Sequence, residues 1–230
     1  MRHCLARLIL LSSLLAPAAH AQGQWSFSAA LDSDDRFRGV SLSHGRPDAR
    51  LDVGYDRRFD HMGGLYAGAL LAASPGRGQQ GPLIHYTAYA GWVSQPVAGV
   101  SWEGGVSHTH IGDRERYDYD EAYTGLITKA VSARLSYSPR YYGHDVQTLY
   151  ADVSGGREIS AHVRVFAHAG WLTRLSGSWG LRPRYDLSAG IATTVRACDV
   201  RLSLTQGPSL YVWGRDDGGL GLVFSAVRAF

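Results

Sequence analysis

Cysteine is almost missing from this chain: Cys4 and Cys198 are the only two among 230 residues. Cys4 falls in a segment that reads as removed on export, and it sits too early to be a lipidation site. Cys198 then stands alone, so no intrachain disulfide framework exists. Beyond the first residues there is also no apolar run long enough for a transmembrane helix. No proline- or serine-rich linker divides the chain, which points to one domain. An excess of one charge is lacking too. Lysine and arginine number 23 against 20 acids, and the leading segment carries two of the basic residues and no acid, leaving 21 − 20 = +1. That balance excludes a basic, nucleic-acid-binding surface.

What is present begins with an export signal. Residues 1–21 show Arg2 and Arg7, a short apolar run over 8–15, and Ala19-His20-Ala21. A basic head, a hydrophobic middle and a small-x-small site read as a secretory signal peptide cleaved after Ala21. Residues 22–230 follow as a single domain.

The closing stretch GGLGLVFSAVRAF sets the class. Leu220, Leu222, Phe224, Ala226 and Phe230 fall on one face, interrupted by Arg228, while Gly219, Gly221, Val223, Ser225 and Val227 fall on the other. A period of two with one apolar side is a strand. Similar alternation recurs along the chain, for example Leu51, Val53 and Tyr55 against Arg50, Asp52 and Asp56. The whole adds up to about twelve strands, an even number, each near the ~10 residues of a tilted membrane strand. Links between successive strands alternate long and short. The long ones fall at 33–47, 74–83, 109–119, 139–144, 171–183 and 207–217. The tight ones fall at 94–96, near Ala130, at 155–158 and at 196–197, with 57–63 the longest of the short set. Both termini lie on the short side. The expectation is an all-β chain forming a single transmembrane antiparallel β-barrel, in the outer membrane of a Gram-negative cell with both termini periplasmic. Lipid does not tolerate an open sheet edge, so the last strand must pair with the first.

Ser33-Asp34-Asp35-Arg36-Phe37-Arg38-Gly39-Val40-Ser41-Leu42-Ser43, followed by Gly45 and Pro47, resembles the TorF-type porins, an exported family. Gly64-Leu65-Tyr66-Ala67-Gly68, Ala133-Arg134-Leu135-Ser136-Tyr137-Ser138-Pro139 and the closing strand are similar to it as well. Phe37, Arg38 and Gly39 carry the signature; Asp35 stands where the family usually has an aromatic residue. The resemblance implies an outer-membrane barrel with a porin-type role. The terminal Phe230 resembles the assembly signal of such barrels. The partners this implies are outer-membrane lipid and lipopolysaccharide, the barrel-assembly machinery with periplasmic chaperones, and small solutes; no nucleic acid and no cofactor is expected.

Candidate functional residues follow from phase. If the first strand continues past Leu31, then Asp34, Arg36 and Arg38 project into the barrel mouth together with Asp32, and Gly39 ends or bends the strand. Two readings stand: a charged constriction that filters solutes, or a salt-bridged network that ties down the first loop. Other inward candidates are Arg50, Asp52, Asp56, Glu103, Arg134, Asp152, Arg164, Asp186 and Arg201. Their signs are mixed, so no strong ion preference is expected, and any pore is narrow. His108 and His110 share a face, a spacing that can hold a metal. No cysteine or tight carboxylate cluster accompanies them in the sequence, so an exposed pair at a loop edge is the plainer reading and no metal is expected. His162 and His168 fall in the inward phase. A lipid-modifying hydrolase would need a nucleophile beside a histidine; Ser188 with His162 is the conceivable pair, and no Gly-x-Ser-x-Gly elbow occurs. A narrow diffusion path for small solutes is the favoured function, not an enzyme. A closed barrel presenting loops such as 114–120 and 214–217 is the alternative.

Overall fold

The computed structural model describes residues 23–59, 63–75, 81–112, 117–178, 180–208, 211–212, 215–216 and 219–230. The expected export signal and its cleavage point lie outside them, as do residues 114–116 of the charged loop stretch 114–120 and residues 214 and 217 of the stretch 214–217.

Twelve strands make the wall: β1 (Gln24–Asp32), β2 (Asp48–Phe59), β3 (Gly63–Ser74), β4 (Leu83–Val97), β5 (Val100–Ile111), β6 (Tyr119–Thr128), β7 (Val131–Ser138), β8 (Val146–Glu158), β9 (Val163–Gly177), β10 (Arg184–Val195), β11 (Cys198–Gly207) and β12 (Gly219–Ala229). Each pairs antiparallel with its sequence neighbours, and β1 closes on β12, giving a closed barrel. The closing register runs from Ser28 opposite Ala229 to Asp32 opposite Ser225. The Phe230 N–H adds a bond to the Phe27 carbonyl at 3.0 Å.

Alternation decides which side chains face outward. Val106 is 60% exposed and Leu222 65%, while inward Glu103, three residues from Val106, is 1% exposed. Trp102 and Leu126 likewise point out, with no second sheet against them among the described residues. An apolar belt of this extent on the outside and charge on the inside is the arrangement of a lipid-embedded barrel, not of a sandwich. Inward tyrosines lie over glycines of adjoining strands: Tyr66 over Gly91, Tyr89 over Gly68, Tyr123 over Gly105 and Tyr150 over Gly170. Rings filling the space a missing Cβ leaves help to pin the register.

The six links at one end span 33–47, 75–82, 112–118, 139–145, 178–183 and 208–218, against 60–62, 98–99, 129–130, 159–162 and 196–197 at the other. The alternation expected from sequence is therefore present, with three short turns displaced and the 171–183 link shortened to 178–183, since β9 pairs with β8 up to Gly177. β4 continues through Pro96 and turns at Ala98 and Gly99, with a register irregularity between Ser94 and Val97; proline cannot donate to the ladder, and the irregularity accommodates it. β8 runs on through Glu158 before turning at 159–162, and the 57–63 link shrinks to 60–62 because β2 and β3 pair up to Phe59 and Gly63. At the long-loop end, Leu42, Ile111, Tyr119, Tyr141, Val146, Tyr150, Leu172 and Leu181 form a buried apolar cluster.

Candidate functional site

The first link is what organises the lumen. β1 does not run past Asp32; the sequence expectation of Asp34, Arg36 and Arg38 on one strand face is corrected here. Instead the chain makes a small hairpin, with Arg36 and Phe37 paired to Ser41 and Val40. Arg38 and Gly39 form its turn, both at positive φ, 48° and 76°, as the two-residue turn that matches strand twist requires. Asp34 holds the hairpin's root. Its carboxylate accepts from the Ser41 hydroxyl, from Ser43 Oγ at 2.9 Å and from the Gly45 N–H at 3.2 Å, and it pairs with Arg36 Nε at 2.6 Å.

The hairpin folds into the barrel and touches the far walls. Arg38 Nη2 bonds both oxygens of Glu121 on β6 at 2.7 and 2.8 Å, and its guanidinium lies 4.1 Å from the Tyr150 ring centre. Burial works against the charge on Arg38, yet Glu121, with Tyr119 and Tyr141, holds its pKa well above the usual arginine range. It stays a cation. Gly39 meets β11 backbone to backbone: a Cβ there would lie 2.6 Å from Gly207 Cα and 2.7 Å from Asp186 Cβ. Arg36 lies on the glycine face of β12, donating to the Gly219 carbonyl at 3.2 Å, where a Cβ on Gly221 would strike its guanidinium.

Below the hairpin, charges on the wall form four further knots. Arg134 donates to Glu103 at 2.7 and 2.9 Å and stacks on Tyr123; Tyr66 donates to Glu103 at 3.1 Å. Asp186 accepts from Tyr150 at 3.1 Å and meets His168 Nε2 at 2.8 Å, whose other nitrogen meets Ser154 Oγ. Arg164 and Arg201 share Asp199 at 3.0 and 2.6 Å. Arg50 bridges Asp32 at 3.0 Å and Asp52 at 3.6 Å. A cavity of about 730 Å³ extends from Arg36, Phe37, Arg38 and Gly39 down to Trp25 and Phe230, lined by these walls.

Of the inward candidates, Asp52, Asp56, Glu103, Arg134, Asp152 and Asp186 line the cavity, whereas Arg50, Arg164 and Arg201 lie outside its lining and are drawn into the ion pairs above. His168, expected in the inward phase, does line the cavity; Glu121, Asp199 and Tyr150 were missed as partners. Glu121 and Asp199 were findable, since each shares its strand's inward phase.

Three histidine readings change. His108 and His110 do have carboxylates beside them, at 2.8 Å from Asp120 and 2.6 Å from Asp118. Asp118 and Asp120 come from the next strand and its approach, so spacing within β5 could not reveal them. Among the described residues no group of three or more such ligands is placed to hold a metal. His162 is exposed in the 159–162 turn and not inward. The residue facing Ser188 is His168, so the Ser188–His162 pair does not form.

A twelve-stranded closed barrel with long and short ends is now described, and a family model matches residues 18–205. The chain belongs to the family Gcw_chp, described as a bacterial protein of unknown function. No curated protein matches it. Among solved structures, a KdgM porin in complex with disordered oligogalacturonate aligns at TM-score 0.50 and 11% identity, over 91% of this chain and 98% of the porin. An outer membrane channel from Pseudomonas putida F1 aligns at TM-score 0.48 and 11% identity, over 94% and 100%. At that identity the first of these likenesses speaks for the fold of this Gcw_chp chain. The fold is the porin-like barrel.

Proposed function

We propose that this chain is an outer-membrane porin that gives small solutes a narrow diffusion path, constricted by the inward hairpin of its first link. The observation that carries the reading is the cavity of about 730 Å³ inside the barrel beneath that hairpin, with charged side chains on its wall. A closed wall of side chains would leave no such space in a small barrel. Charged groups inside a membrane-spanning segment mark solute or ion paths more often than they serve stability. The resemblance of 33–47 to TorF-type porins points the same way.

In this reading residues 1–21 are a cleaved export signal and 22–230 are one barrel domain. The long links face outward from the cell and both termini lie in the periplasm. The apolar belt meets outer-membrane lipid, with lipopolysaccharide at the long-link end. Periplasmic chaperones and the barrel-assembly machinery receive the strand that ends in Phe230. No catalytic activity is assigned.

Purified protein in planar bilayers tests it: discrete conductance steps are expected, and silence across salts and voltages, in both wild type and a hairpin-deleted variant, sinks it. A second reading, a barrel closed at rest, has one observation behind it: Arg38 on Glu121 and Gly39 on Gly207 lace the hairpin to opposite walls. Conductance only after hairpin deletion would select that reading.

A further inference from the structure

We infer that the lumen prefers cations over anions, with Asp52, Asp56 and Asp152 as the residues that set the preference; this rests on the pore reading above. Sequence phase predicted no strong preference, because inward acids and bases nearly balance. Which charges are spent on one another changes that result.

The cavity is lined by three arginines, Arg36, Arg38 and Arg134. Each is already taken. Arg36 lies on Asp34, Arg38 on Glu121 and Arg134 on Glu103. The same cavity is lined by six carboxylates, adding Asp52, Asp56, Asp152 and Asp186 to Glu103 and Glu121. Taking the His168–Asp186 pair as one neutral unit, the lining carries 3 − 5 = −2. Two acids are compensated within the wall: Asp186 by His168 and Tyr150, and Asp52 in part by Arg50 at 3.6 Å. Asp56 and Asp152 form no ion pair among the described residues. Asp152 lies across the ladder from Arg134, whose guanidinium is turned away to Glu103. A local excess of positive charge, Arg164 and Arg201 on one Asp199, falls outside the cavity lining.

A paired charge contributes little field along the conduit, because its partner cancels it at distances beyond their separation. An unpaired carboxylate on a low-dielectric wall contributes fully, and narrow walls focus that field. Acidic side chains in a cation-conducting pore act in this way. The inference concerns the charge of the path, with no ion held at a fixed site.

The test is the reversal potential of reconstituted protein across a KCl gradient. Wild type is expected to pass potassium several-fold better than chloride. Combined Asp52→Asn, Asp56→Asn and Asp152→Asn should bring the ratio close to one while conductance persists; heat-dependent gel mobility checks that the variant is folded. Should the triple variant not fold, the three single variants are measured instead, each expected to lower the ratio. Where wild type is closed, the same ratio is read in the hairpin-deleted protein. A conducting protein that is unselective or favours chloride overturns the inference and leaves the pore reading standing. A preference unchanged by the substitutions overturns the assignment to these three acids. Silence of both proteins overturns the pore reading, and this inference with it.

Discussion

Arg38 is a non-glycine residue at φ 48° in a turn, a conformation that costs of order 1 kcal/mol or more and persists where the surroundings over-determine it. The surroundings here are a bidentate carboxylate and aromatic rings. Removing one partner of a buried ion pair costs about 3–5 kcal/mol, since the other charge is left uncompensated. Glu121→Gln or Arg38→Ala is therefore expected to free the hairpin without unfolding the barrel. Hydrogen exchange should show lost protection at Val40 to Leu42 with β6 and β8 unchanged. The double variant should be no worse than either single one; additive losses would mean that the pair does not hold the loop. Gly39 gives an independent handle. A Cβ there has no room against Gly207, and positive φ disfavours any L side chain. Gly39→Ala is expected to push the hairpin off β11 and raise single-channel conductance, whereas an unchanged conductance would show that the hairpin is not the constriction.

At the scale of the strand, the two faces should respond oppositely to the same substitution. Leu126 faces outward at 52% exposure, and Ser203 shares β11's inward phase with Arg201. An arginine on the lipid face near mid-membrane costs about 2–4 kcal/mol. Leu126→Arg is expected to lower stability by that amount in urea titrations of lipid-refolded protein, and Ser203→Arg by much less. Equal losses would contradict the assignment of faces. The strand scale is also where sequence was most legible. Leu220, Leu222 and Phe224 against Gly219, Gly221 and Val223 state their faces directly, because a pleated strand turns alternate side chains to opposite sides. Turn positions were less legible: Pro96 reads as a breaker, yet β4 carries it past a register irregularity, since the residues on either side still find partners on β5.

For the molecule as a whole, closure by β1 on β12 makes the C-terminal strand indispensable. Deleting Phe230 removes the bond to the Phe27 carbonyl and the last outward aromatic ring. Expression of the truncated chain is expected to give a smaller heat-modifiable fraction in outer-membrane preparations, and an unchanged fraction would separate Phe230 from assembly. Export makes a further prediction: mass spectrometry of the mature protein should find Gln22 at its N-terminus.

Strand number, faces, alternation of links and the pairing of first strand with last were written in the sequence, because each depends on local periodicity and on the cost of an open edge in lipid. The inward fold of 33–47 and the choice of partner for each lumen charge were decided only by tertiary structure. Arg38 reaches Glu121 across 83 residues of chain, and no periodicity records which of several inward acids a guanidinium will meet once the wall has curved round to bring them together.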